Sequence, residues 1–420
     1  MDPIEYVQQL GESARRAAGQ LVTLDGATRN SALLRVAKEL KRNSDRLIEA
    51  NANDIAAAEQ AGLAPTLIAR LRLDEKRITA MSDSVAQIAA QVDPVGQTLE
   101  GYVRPNGLRI EKRRVPLGVV LFFYESRPNV TSDAAALCIK SGNAVILRGG
   151  KEAFHSNRAI ADIIASALKL SGIDPAAVQV VESTDRTLVP LLLKLDKHID
   201  LVIPRGGESL IRAVVKDSTI PVLKHFTGNC HIYVDSELGD GVEEKVIDIC
   251  INAKTSYVAV CNAMEHLLIH EGVAAKLLPP LCAELSRRQV EIRGDEKTRE
   301  LFRDAIPATD ADWDTEYLAE IVGVKVVRDV DEAIDHINCH GSHHTDAILS
   351  SSKRNIDRFV QRVDSASVMV NASTRFADGG EYGLGAEIGI STDKLHARGP
   401  MGAADLTTYK WIVTGDGHVR

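Results

Sequence analysis

Unbroken runs of Val, Ile, Leu and Phe, each followed by a helical pattern, constrain the fold of this chain more than any other feature. The first two runs are GVVLFFY at 118–124 and NAVILRG at 143–149, and helical patterns follow both. Strands that are apolar on both faces belong to parallel sheets covered by helices on either side. The sequence therefore predicts an α/β fold.

The alternation of strand and helix patterns occurs in two series. The first series continues with strands predicted at VQVVE, IDLVIP and PVLKHF. The second follows a predicted helix at 241–254 and contains strands predicted at HLLIH, VEIRG, VGVKVV, DAILSS and ASVMVN. Residues 3–92 precede both and are predicted to be helical, because apolar residues recur there every three or four positions. We therefore expect two α/β lobes.

A smaller β element is predicted from two separate segments. YVRPNGLRIEKRRV indicates a hairpin, since Asn106-Gly107 can hold the positive φ values of a tight turn. TTYKWIVTGDGHV, near the C-terminus, is a strand pattern with bulky aromatic residues. Because exposed strand edges are normally paired or protected, we expect the hairpin and this strand to serve oligomerisation.

Composition excludes several classes of function. The chain has 420 residues and a net charge of −8, which argues against nucleic acid as a partner. No apolar run reaches the length of a membrane span, and we expect no signal peptide at the N-terminus. Six cysteines without paired spacing indicate reduced thiols. We therefore expect a cytoplasmic location and no membrane partner.

Two pairs of glycines follow predicted strands and open helices, which indicates phosphate binding by backbone N–H groups. They lie in AVILRGGKEA and IDLVIPRGGESLI. The residues proposed to bind a nucleotide cofactor here are Arg148, Gly149, Lys151, Arg205, Gly206 and Gly207. The positive charge of Arg148 and Lys151 suits the additional ribose phosphate of NADPH. The predicted cofactor is therefore NADPH/NADP.

Two of the six cysteines are candidate nucleophiles. Cys261 lies in VCNAMEHLLIH, and Cys230 is flanked by polar residues in FTGNCHIY. The other thiols fall on apolar helical faces or at a helix end, where cysteine is usually inert. Residue patterns alone leave both candidates open. The histidines of HINCHGSHH are interpreted as a helix end followed by a loop, and no metal is predicted.

The chain resembles the gamma-glutamyl phosphate reductases, also called glutamate-5-semialdehyde dehydrogenases, of the aldehyde dehydrogenase superfamily. The resemblance covers nearly all of residues 5–418. It is carried by VPLGVVLFFYESRPNVTSDAAALCIKSGNAVILRGGKEA, LVIPRGGESLI, VCNAMEHLLIH, EIVGVKVV and HGSHHTDAI. The last of these is similar to the family's own signature, so the match is highly specific.

The resemblance implies an architecture and a reaction. The expected domains are an NADPH-binding domain (1–101 and 122–228), a catalytic domain (229–398) and an oligomerisation element (102–121 and 399–420). The expected assembly is a dimer or tetramer. The implied reaction reduces L-glutamate 5-phosphate with NADPH, releasing phosphate and L-glutamate 5-semialdehyde for proline biosynthesis. Because this acyl phosphate is labile, a glutamate kinase is a candidate partner.

The resemblance also implies roles for individual residues. Cys261 corresponds to the catalytic cysteine, which would displace phosphate and form a thioester. The backbone N–H groups of Asn262 and Ala263 could hold the developing oxyanion. Glu320 of EIVGV corresponds to the glutamate that holds the nicotinamide ribose. Ser126 falls where the superfamily has an asparagine that polarises the substrate carbonyl, so that role is in doubt here.

Further residues are predicted to bind the substrate. Arg127 and Asn129 lie next to Ser126 in YESRPNV. The loop VNASTRFADGGEYG follows a predicted strand of the second lobe, where substrate pockets commonly form. In that loop Arg375 suits the α-carboxylate, and Asp378 or Glu381 suits the α-ammonium group.

Two other functions remain open from the sequence. The fold could serve a non-catalytic nucleotide-binding protein, or an ordinary NAD-dependent or acyl-CoA-reducing aldehyde dehydrogenase. Hydrolytic aldehyde dehydrogenases carry a glutamate before a Leu-Gly-Gly segment, and that glutamate activates water. The matching stretch here, PVLKHFTGNCHIYV, has no glutamate, and the position falls near Lys224. Lys224 and His225 could instead favour phosphate as the acyl partner.

Overall fold

The computed structural model describes residues 2–239 and 241–420. The helices are α1 (Pro3–Leu21), α2 (Gly26–Arg42), α3 (Ser44–Gln60), α4 (Pro65–Leu71), α5 (Glu75–Ala90), α6 (Asn129–Lys140), α7 (Phe154–Leu170), α8 (Leu188–Leu192), α9 (Glu208–Asp217), α10 (Glu243–Thr255), α11 (Glu271–Arg287), α12 (Glu296–Leu301), α13 (Asp310–Trp313), α14 (Val330–His340) and α15 (Lys353–Arg362). Within the described residues, none of these helices is both long enough and apolar enough to cross a bilayer.

The strands are mostly short and belong to parallel sheets. They are β1 (Thr98–Val103), β2 (Arg109–Pro116), β3 (Val119–Phe123), β4 (Ala144–Arg148), β5 (Val178–Val180), β6 (Leu201–Pro204), β7 (Cys230–Val234), β8 (Met264–His270), β9 (Glu291–Gly294), β10 (Ile306–Pro307), β11 (Ile321–Val327), β12 (Thr345–Leu349), β13 (Ser367–Val370), β14 (Ile390–Ser391), β15 (Gly399–Pro400) and β16 (Thr407–Thr414). Alternation of these strands with helices confirms the predicted α/β fold.

The chain forms two compact units. The first consists of Met1–Lys224, Gly383–Gly389 and Pro400–Arg420, and the second of His225–Tyr382 and Ile390–Gly399. The first contains a four-stranded sheet with strand order β5-β4-β3-β6, and the second a seven-stranded sheet with order β10-β9-β11-β8-β7-β12-β13. Each unit therefore has its own sheet and its own helices.

The four-stranded sheet is parallel, and its central strands are the apolar runs of the sequence. All five residues of β3 are buried, and β3 pairs with β4 on one side and β6 on the other. PVLKHF, which the sequence predicts as a strand, forms only a single bridge between Val222 and Val202. That prediction was wrong, because Pro221 has no N–H group with which to extend the ladder.

The seven-stranded sheet is also parallel and has β7 and β8 at its centre. β7, whose five residues are all buried, was not predicted from the sequence. His231 within it is held by the Asp346 carboxylate of β12, with 3.1 Å between Nδ1 and Oδ1. A polar residue can therefore lie in a buried strand here because its partner lies in the neighbouring strand.

The hairpin and the C-terminal strand pair in one antiparallel sheet with order β1-β2-β16. The hairpin loop differs from the predicted two-residue turn: only Gly107 has a positive φ, +93°. Pro105, whose φ is fixed near −65°, favours the three-residue loop with glycine in the last position. The side chains of Tyr102, Tyr409 and Trp411 are 48%, 49% and 50% exposed, which leaves an aromatic surface on this sheet.

Candidate active site

The second unit collects its reactive side chains at the amino edge of the seven-stranded sheet. His225 lies in the segment before β7, Cys261 in the turn before β8, and His344 immediately before β12. Those three strands are adjacent and parallel, in the order β8-β7-β12. Because parallel strands begin at the same edge, segments that are far apart in the sequence come together there.

The thiol of Cys261 and the two imidazoles form one cluster. One ligand atom from each of the three side chains lies within 4.8 Å of the other two. The rings of His225 and His344 are 5.3 Å apart between centroids and inclined by 71°. Nδ1 of His225 donates to the Ile390 carbonyl at 2.9 Å, and Nδ1 of His344 lies 2.9 Å from the Thr345 hydroxyl. The Nε2 atoms are therefore the ring nitrogens left for the cluster.

The cluster ionises the thiol of Cys261. Burial alone would raise the pKa of Cys261, but the charge of His344 and the hydrogen bond and charge of His225 outweigh burial. The net result is a pKa well below the ordinary value for cysteine. A half-buried thiolate beside two imidazoles is an activated nucleophile.

Cys230, the rival candidate, has the opposite environment. It lies buried on β7, and its thiol donates to the Cys261 carbonyl at 3.2 Å. Burial and the nearby Asp346 carboxylate raise its pKa well above the ordinary value. Burial likewise raises the pKa of the buried thiols Cys138, Cys250 and Cys282. Among these thiols only Cys261 is prepared for nucleophilic attack.

Gly228 lets the backbone of the nucleophile approach closely. A Cβ atom at Gly228 would lie 1.9 Å from the Cys261 carbonyl oxygen and 2.5 Å from its Cα, so no side chain fits there. The N–H of Gly228 donates to Oε1 of Glu316 at 2.8 Å. Burial raises the pKa of Glu316, and the negative charge of Cys261 raises it further. A carboxylate that the sequence analysis did not single out therefore belongs to this site.

Asn262 links the nucleophile turn to the predicted substrate loop. Its Nδ2 donates to the carbonyls of Ala377 at 3.0 Å and Arg375 at 3.4 Å. Nε of Arg375 in turn donates to the Ser256 hydroxyl at 3.1 Å. The N–H of Ala263 donates to Val260 within the turn, which leaves the backbone N–H of Asn262 as the predicted oxyanion donor.

The other site residues predicted in the second unit lie at its surface. Asp378 is exposed and accepts a hydrogen bond from the N–H of Gly380 at 2.8 Å. Glu381 is exposed in the same loop. Glu320 is also exposed, directly before β11. The structure thus brings Cys261, Asn262 and Arg375 together, and the roles of the three carboxylates stay predictions.

A buried ion pair supports the strand that follows the nucleophile. Lys254 of α10 and Glu265 of β8 are fully buried, with 2.8 Å between Nζ and Oε2. Burial raises the pKa of Glu265 to about 7, although Lys254 opposes that shift. Removing one partner from such a pair typically costs about 3–5 kcal/mol, because an uncompensated charge stays buried. The pair therefore ties α10 to β8 beside the nucleophile turn.

Three buried histidines pack against one another in the same unit. The His231 ring lies 4.9 Å from that of His266 and 5.6 Å from that of His336, between centroids. One ring nitrogen of each has no hydrogen-bond partner: Nε2 of His231, Nδ1 of His266 and Nε2 of His336. Burial, followed by the charge of His231, lowers the pKa of His266 and of His336. Those two rings are therefore neutral in the folded protein at neutral pH.

The first unit has a cavity at the carboxyl ends of its strands. Its volume is about 430 Å³. It is lined by segments that follow β3, β4 and β6, together with residues of α4 and the loop before it. The chain runs outward from β3 to β4 and β5, and then returns to place β6 on the other side of β3. Such a switch point is where open α/β sheets bind nucleotides.

Several predicted cofactor and substrate residues line this cavity. They are Ser126, Arg127, Gly206 and Gly207. The Ser126 hydroxyl donates to Glu152 at 2.6 Å, so in this structure it is not presented as a carbonyl-polarising group. A Cβ at Gly149 would lie 2.2 Å from Asn157 Nδ2, and one at Gly150 would lie 2.4 Å from Ser126 Oγ. A side chain at either position would therefore have to displace the side chain of Asn157 or Ser126.

The remaining predicted residues of the first unit lie around the same strand ends. Nη2 of Arg148 donates to the carbonyls of Thr184 and Asp185, both at 3.1 Å. Lys151 is exposed at the start of the turn after β4. Arg205 lies 4.0 Å from Glu387, and the side chain of Asn129, at the start of α6, donates to Asp133 at 3.2 Å. Of the two cations proposed for a ribose phosphate, Lys151 is the more accessible.

Sequence reasoning missed the roles of His225, His344 and Glu316. The sequence indicated His225 only as a cation that could favour phosphate, and His344 only as part of a loop. The segment HGSHHTDAI, which contains His344, resembles a family signature. That resemblance could have pointed to a functional histidine. The sequence around Glu316, in contrast, contains no feature that distinguishes it from other glutamates.

Comparison with known proteins identifies the class of this chain. A model of the aldehyde dehydrogenase family matches residues 4–300. The chain therefore belongs to the aldehyde dehydrogenase family, whose members are oxidoreductases that typically use NAD or NADP. An acetylating aldehyde dehydrogenase from Geobacillus thermoglucosidasius has the same fold, with a TM-score of 0.71, 16% identity, and coverage of 100% of this chain and 98% of the other.

More similar relatives define the group within that family. Gamma-glutamyl phosphate reductase of Caldanaerobacter subterraneus subsp. tengcongensis is 50% identical over 414 residues, which covers 99% of each chain. The crystal structure of gamma-glutamyl phosphate reductase from Thermotoga maritima has a TM-score of 0.95 and 44% identity, also over 99% of each chain. Within the family, the chain falls among the gamma-glutamyl phosphate reductases, which confirms the resemblance drawn from the sequence.

The two imidazoles are expected to control the reactivity of Cys261. Replacing His344 by glutamine removes an interaction that lowers the pKa of Cys261, so that pKa should rise and the share of thiolate should fall. A thiolate with a higher pKa is intrinsically more nucleophilic, which partly offsets the smaller share of thiolate. The alkylation rate should therefore fall roughly 3- to 30-fold. Iodoacetamide labelling of the Cys261 peptide between pH 5 and 9, followed by mass spectrometry, measures this rate.

His343 provides the matched control for that prediction. His343 directly precedes His344, but its ring contacts the Asp364 carbonyl instead of the thiol. The φ angle of His343 is +61°. Asparagine tolerates that conformation, so His343→Asn should leave the pH profile of Cys261 unchanged. Equal loss of reactivity in both variants would contradict a specific role for His344.

Proposed function

We propose that this chain is an NADPH-dependent reductase that converts L-glutamate 5-phosphate to L-glutamate 5-semialdehyde and phosphate through a thioester at Cys261. This reaction would place it in proline biosynthesis, in agreement with the names of its relatives. The observation that carries the proposal is the lowered pKa of Cys261 between His225 and His344. The thiolate, and not the thiol, is the nucleophile, and a lowered pKa increases the share of thiolate at neutral pH.

The first proposed step is displacement of phosphate. The Cys261 thiolate attacks the acyl carbon, the bond from that carbon to the phosphate oxygen breaks, and inorganic phosphate leaves. The backbone N–H of Asn262 would donate to the oxyanion that forms during attack. His225 and His344, which lower the pKa of Cys261, favour the thiolate that attacks. The product of this step is a thioester on Cys261.

The second proposed step reduces that thioester. NADPH, when bound, supplies the hydride. The resulting hemithioacetal carries one new C–H bond, and its collapse releases the aldehyde and restores the Cys261 thiolate. His225 and His344, with Nε2 atoms directed to the thiol, are placed to supply and recover the proton at the oxygen and sulfur.

The cavity of the first unit suits a dinucleotide. Its volume of about 430 Å³ falls in the range of small-molecule sites. Gly206 and Gly207 directly precede α9, so backbone N–H groups and the helix N-terminus would meet a pyrophosphate there. Arg148 is the last residue of β4, Gly149 and Lys151 follow that strand, and Arg205 follows β6. Glu320 is proposed, by resemblance, to hold the nicotinamide ribose.

The substrate is proposed to be bound by residues of two segments. Arg127 and Asn129 lie in the segment after β3, and Arg375, Asp378 and Glu381 lie in the loop after β13. The link from Asn262 to the carbonyls of Arg375 and Ala377 favours the second segment, since it couples that loop to the nucleophile.

The reverse reaction tests the proposed function most sharply. Glutamate 5-semialdehyde is incubated with NADP, with and without phosphate, and NADPH formation is followed by absorbance. Oxidation should require phosphate, and the product should be an acyl phosphate that hydroxylamine traps. Steady NADPH formation in phosphate-free buffer, with glutamate as the product, would instead establish a hydrolytic aldehyde dehydrogenase.

Glu316 gives the hydrolytic alternative a specific basis. It is a carboxylate with a raised pKa within electrostatic reach of Cys261, and such a group can activate water. Its Oε1 is held by the N–H of Gly228, which favours a structural role in positioning the turn. If hydrolysis is observed, Glu316→Gln should reduce it by about 10²–10⁴-fold, the usual contribution of a general base.

Cofactor preference is predicted to depend on Lys151 more than on Arg148. Lys151→Ala should weaken binding of NADPH and leave NADH unaffected, since only NADPH carries the ribose phosphate. Arg148→Ala should weaken both, because it also releases the loop that contains Thr184 and Asp185. Calorimetric titration of both variants with both cofactors measures the difference. Equal weakening of NADPH and NADH by Lys151→Ala would place that lysine elsewhere.

The β1-β2-β16 sheet is proposed to form the interface of a homodimer or homotetramer. The exposed aromatic side chains of Tyr409 and Trp411 would be buried there. Deleting residues 406–420 should therefore yield monomers or aggregates, and Trp411→Ser should shift the assembly towards monomers. Light scattering after size-exclusion chromatography measures both, and an unchanged mass for both variants would exclude this interface. A glutamate kinase stays a candidate source of the labile acyl phosphate.

A further inference from the structure

We propose that His225, Cys261 and His344 form a Zn²⁺ site at which zinc reversibly inhibits the enzyme. Its inhibitory effect rests on the proposed function, whereas ion binding itself does not. The proposed reaction uses no metal, so the ion would compete with substrate for the thiolate. Thiolate and imidazole are the ligands that zinc prefers in proteins.

The geometry of the cluster fits three protein ligands around one ion. The three candidate ligand atoms lie within 4.8 Å of one another. With Zn–S near 2.3 Å and Zn–N near 2.0–2.1 Å, tetrahedral ligands lie about 3.4–3.6 Å apart. Shifts on the order of 1 Å, which side-chain rotation can supply, would therefore close the site. Three protein ligands leave the fourth position for water, as in open zinc sites.

The hydrogen bonds around both imidazoles independently favour a metal. Histidines that bind metals usually donate their second ring nitrogen to an oxygen, which fixes the tautomer and the ring orientation. Nδ1 of His225 donates to the Ile390 carbonyl, and Nδ1 of His344 lies beside the Thr345 hydroxyl. Nε2 of His344, whose side chain is only 1% exposed, has no hydrogen-bond partner. Once it has lost its proton, this buried nitrogen can donate its lone pair to a metal ion beside the thiolate.

The partial exposure of the cluster favours access by an ion. Metals bind the thiolate, so affinity normally falls as protons compete. Cys261 and His225 are both only half-buried, which provides a path of entry for a hydrated ion.

Titration of the full-length protein with Cd²⁺ tests the site without substrate or cofactor. Cadmium bound to a thiolate absorbs in the ultraviolet, and Zn²⁺ should displace it. We expect one ion per chain, no thiolate absorption in Cys261→Ser, and at least about 10-fold weaker binding in His344→Gln. Cys339→Ser is the control, because this exposed thiol next to His340 is an alternative surface site. Absorption that persists in Cys261→Ser and disappears in Cys339→Ser would overturn the proposal.

A second measurement uses only the wild-type chain and does not depend on the variants folding. Stoichiometric Zn²⁺ should protect Cys261 from iodoacetamide by at least about 10-fold, and a chelator should reverse the protection. Unchanged alkylation would overturn the site. The reductase assay is a separate measurement. Reductase activity in a protein whose Cys261 is not protected by zinc would refute the zinc site alone. Protection of Cys261 by zinc in a protein without reductase activity would refute the proposed function alone.

Discussion

Cys261→Ser is expected to abolish reduction of glutamate 5-phosphate while NADPH still binds. A serine hydroxyl is not ionised at neutral pH, so the two imidazoles cannot convert it into a comparable nucleophile. Loss of a nucleophile that acts with its neighbours as a unit typically lowers turnover by on the order of 10⁴-fold or more. Phosphate-dependent NADPH formation measures the loss, and calorimetry with NADPH measures the retained binding.

Cys230→Ser is the matched control for that variant. Both thiols belong to the same unit, and Cys230 contacts the Cys261 carbonyl, so a general structural effect should appear in both. The raised pKa of Cys230 predicts that its own thiol is not needed. Turnover near the wild-type level in Cys261→Ser, together with an inactive Cys230→Ser, would reverse the assignment.

Gly228→Ala is expected to cause the second largest loss. The new Cβ would lie 1.9 Å from the Cys261 carbonyl oxygen, and since that atom belongs to the backbone, the nucleophile turn must move. A displacement of about 1 Å at a reacting group can cost on the order of 10²-fold in rate. We therefore expect kcat/KM to fall by about 100-fold or more, and alkylation of Cys261 to slow as well.

Gly19→Ala provides the control for an alanine in place of glycine. No atom lies within 4 Å of a Cβ built at Gly19, which is inside α1, so the substitution should be tolerated or slightly stabilising. Urea unfolding of both variants separates a displaced turn from a destabilised protein. A fully active Gly228→Ala would show that the turn adapts without moving the thiol.

The parts of the fold that could be predicted were those encoded by local pattern. β3 and β4 are continuous apolar runs, and each is buried as predicted. β7 was missed because Cys230 and His231 interrupt its apolar pattern. The burial of His231 depends on Asp346, which lies in another strand and is invisible in the local sequence.

The candidate site also has a part that the local sequence predicts and a part that depends on distant segments. Cys261 was predicted because its surrounding sequence resembles that of a known family, not because cysteine itself is diagnostic. The contact of Cys261 with His225 and His344 depends on the order of β8, β7 and β12 in the sheet. The position of Arg148 at the end of β4 was predicted from the sequence. Its hydrogen bonds were not, because the carbonyls that its guanidinium contacts belong to Thr184 and Asp185, in a distant loop.

The buried histidines imply that the folded second unit loses stability in acid. Unfolding exposes His266 and His336 to water, where their pKa is near 6.5, whereas their pKa in the folded protein is lower. Below about pH 6.5 each ring therefore lowers the free energy of unfolding by up to about 1.4 kcal/mol per pH unit. Greater stability in acid would therefore require redesign of the interior of the second unit, at residues remote from bond making.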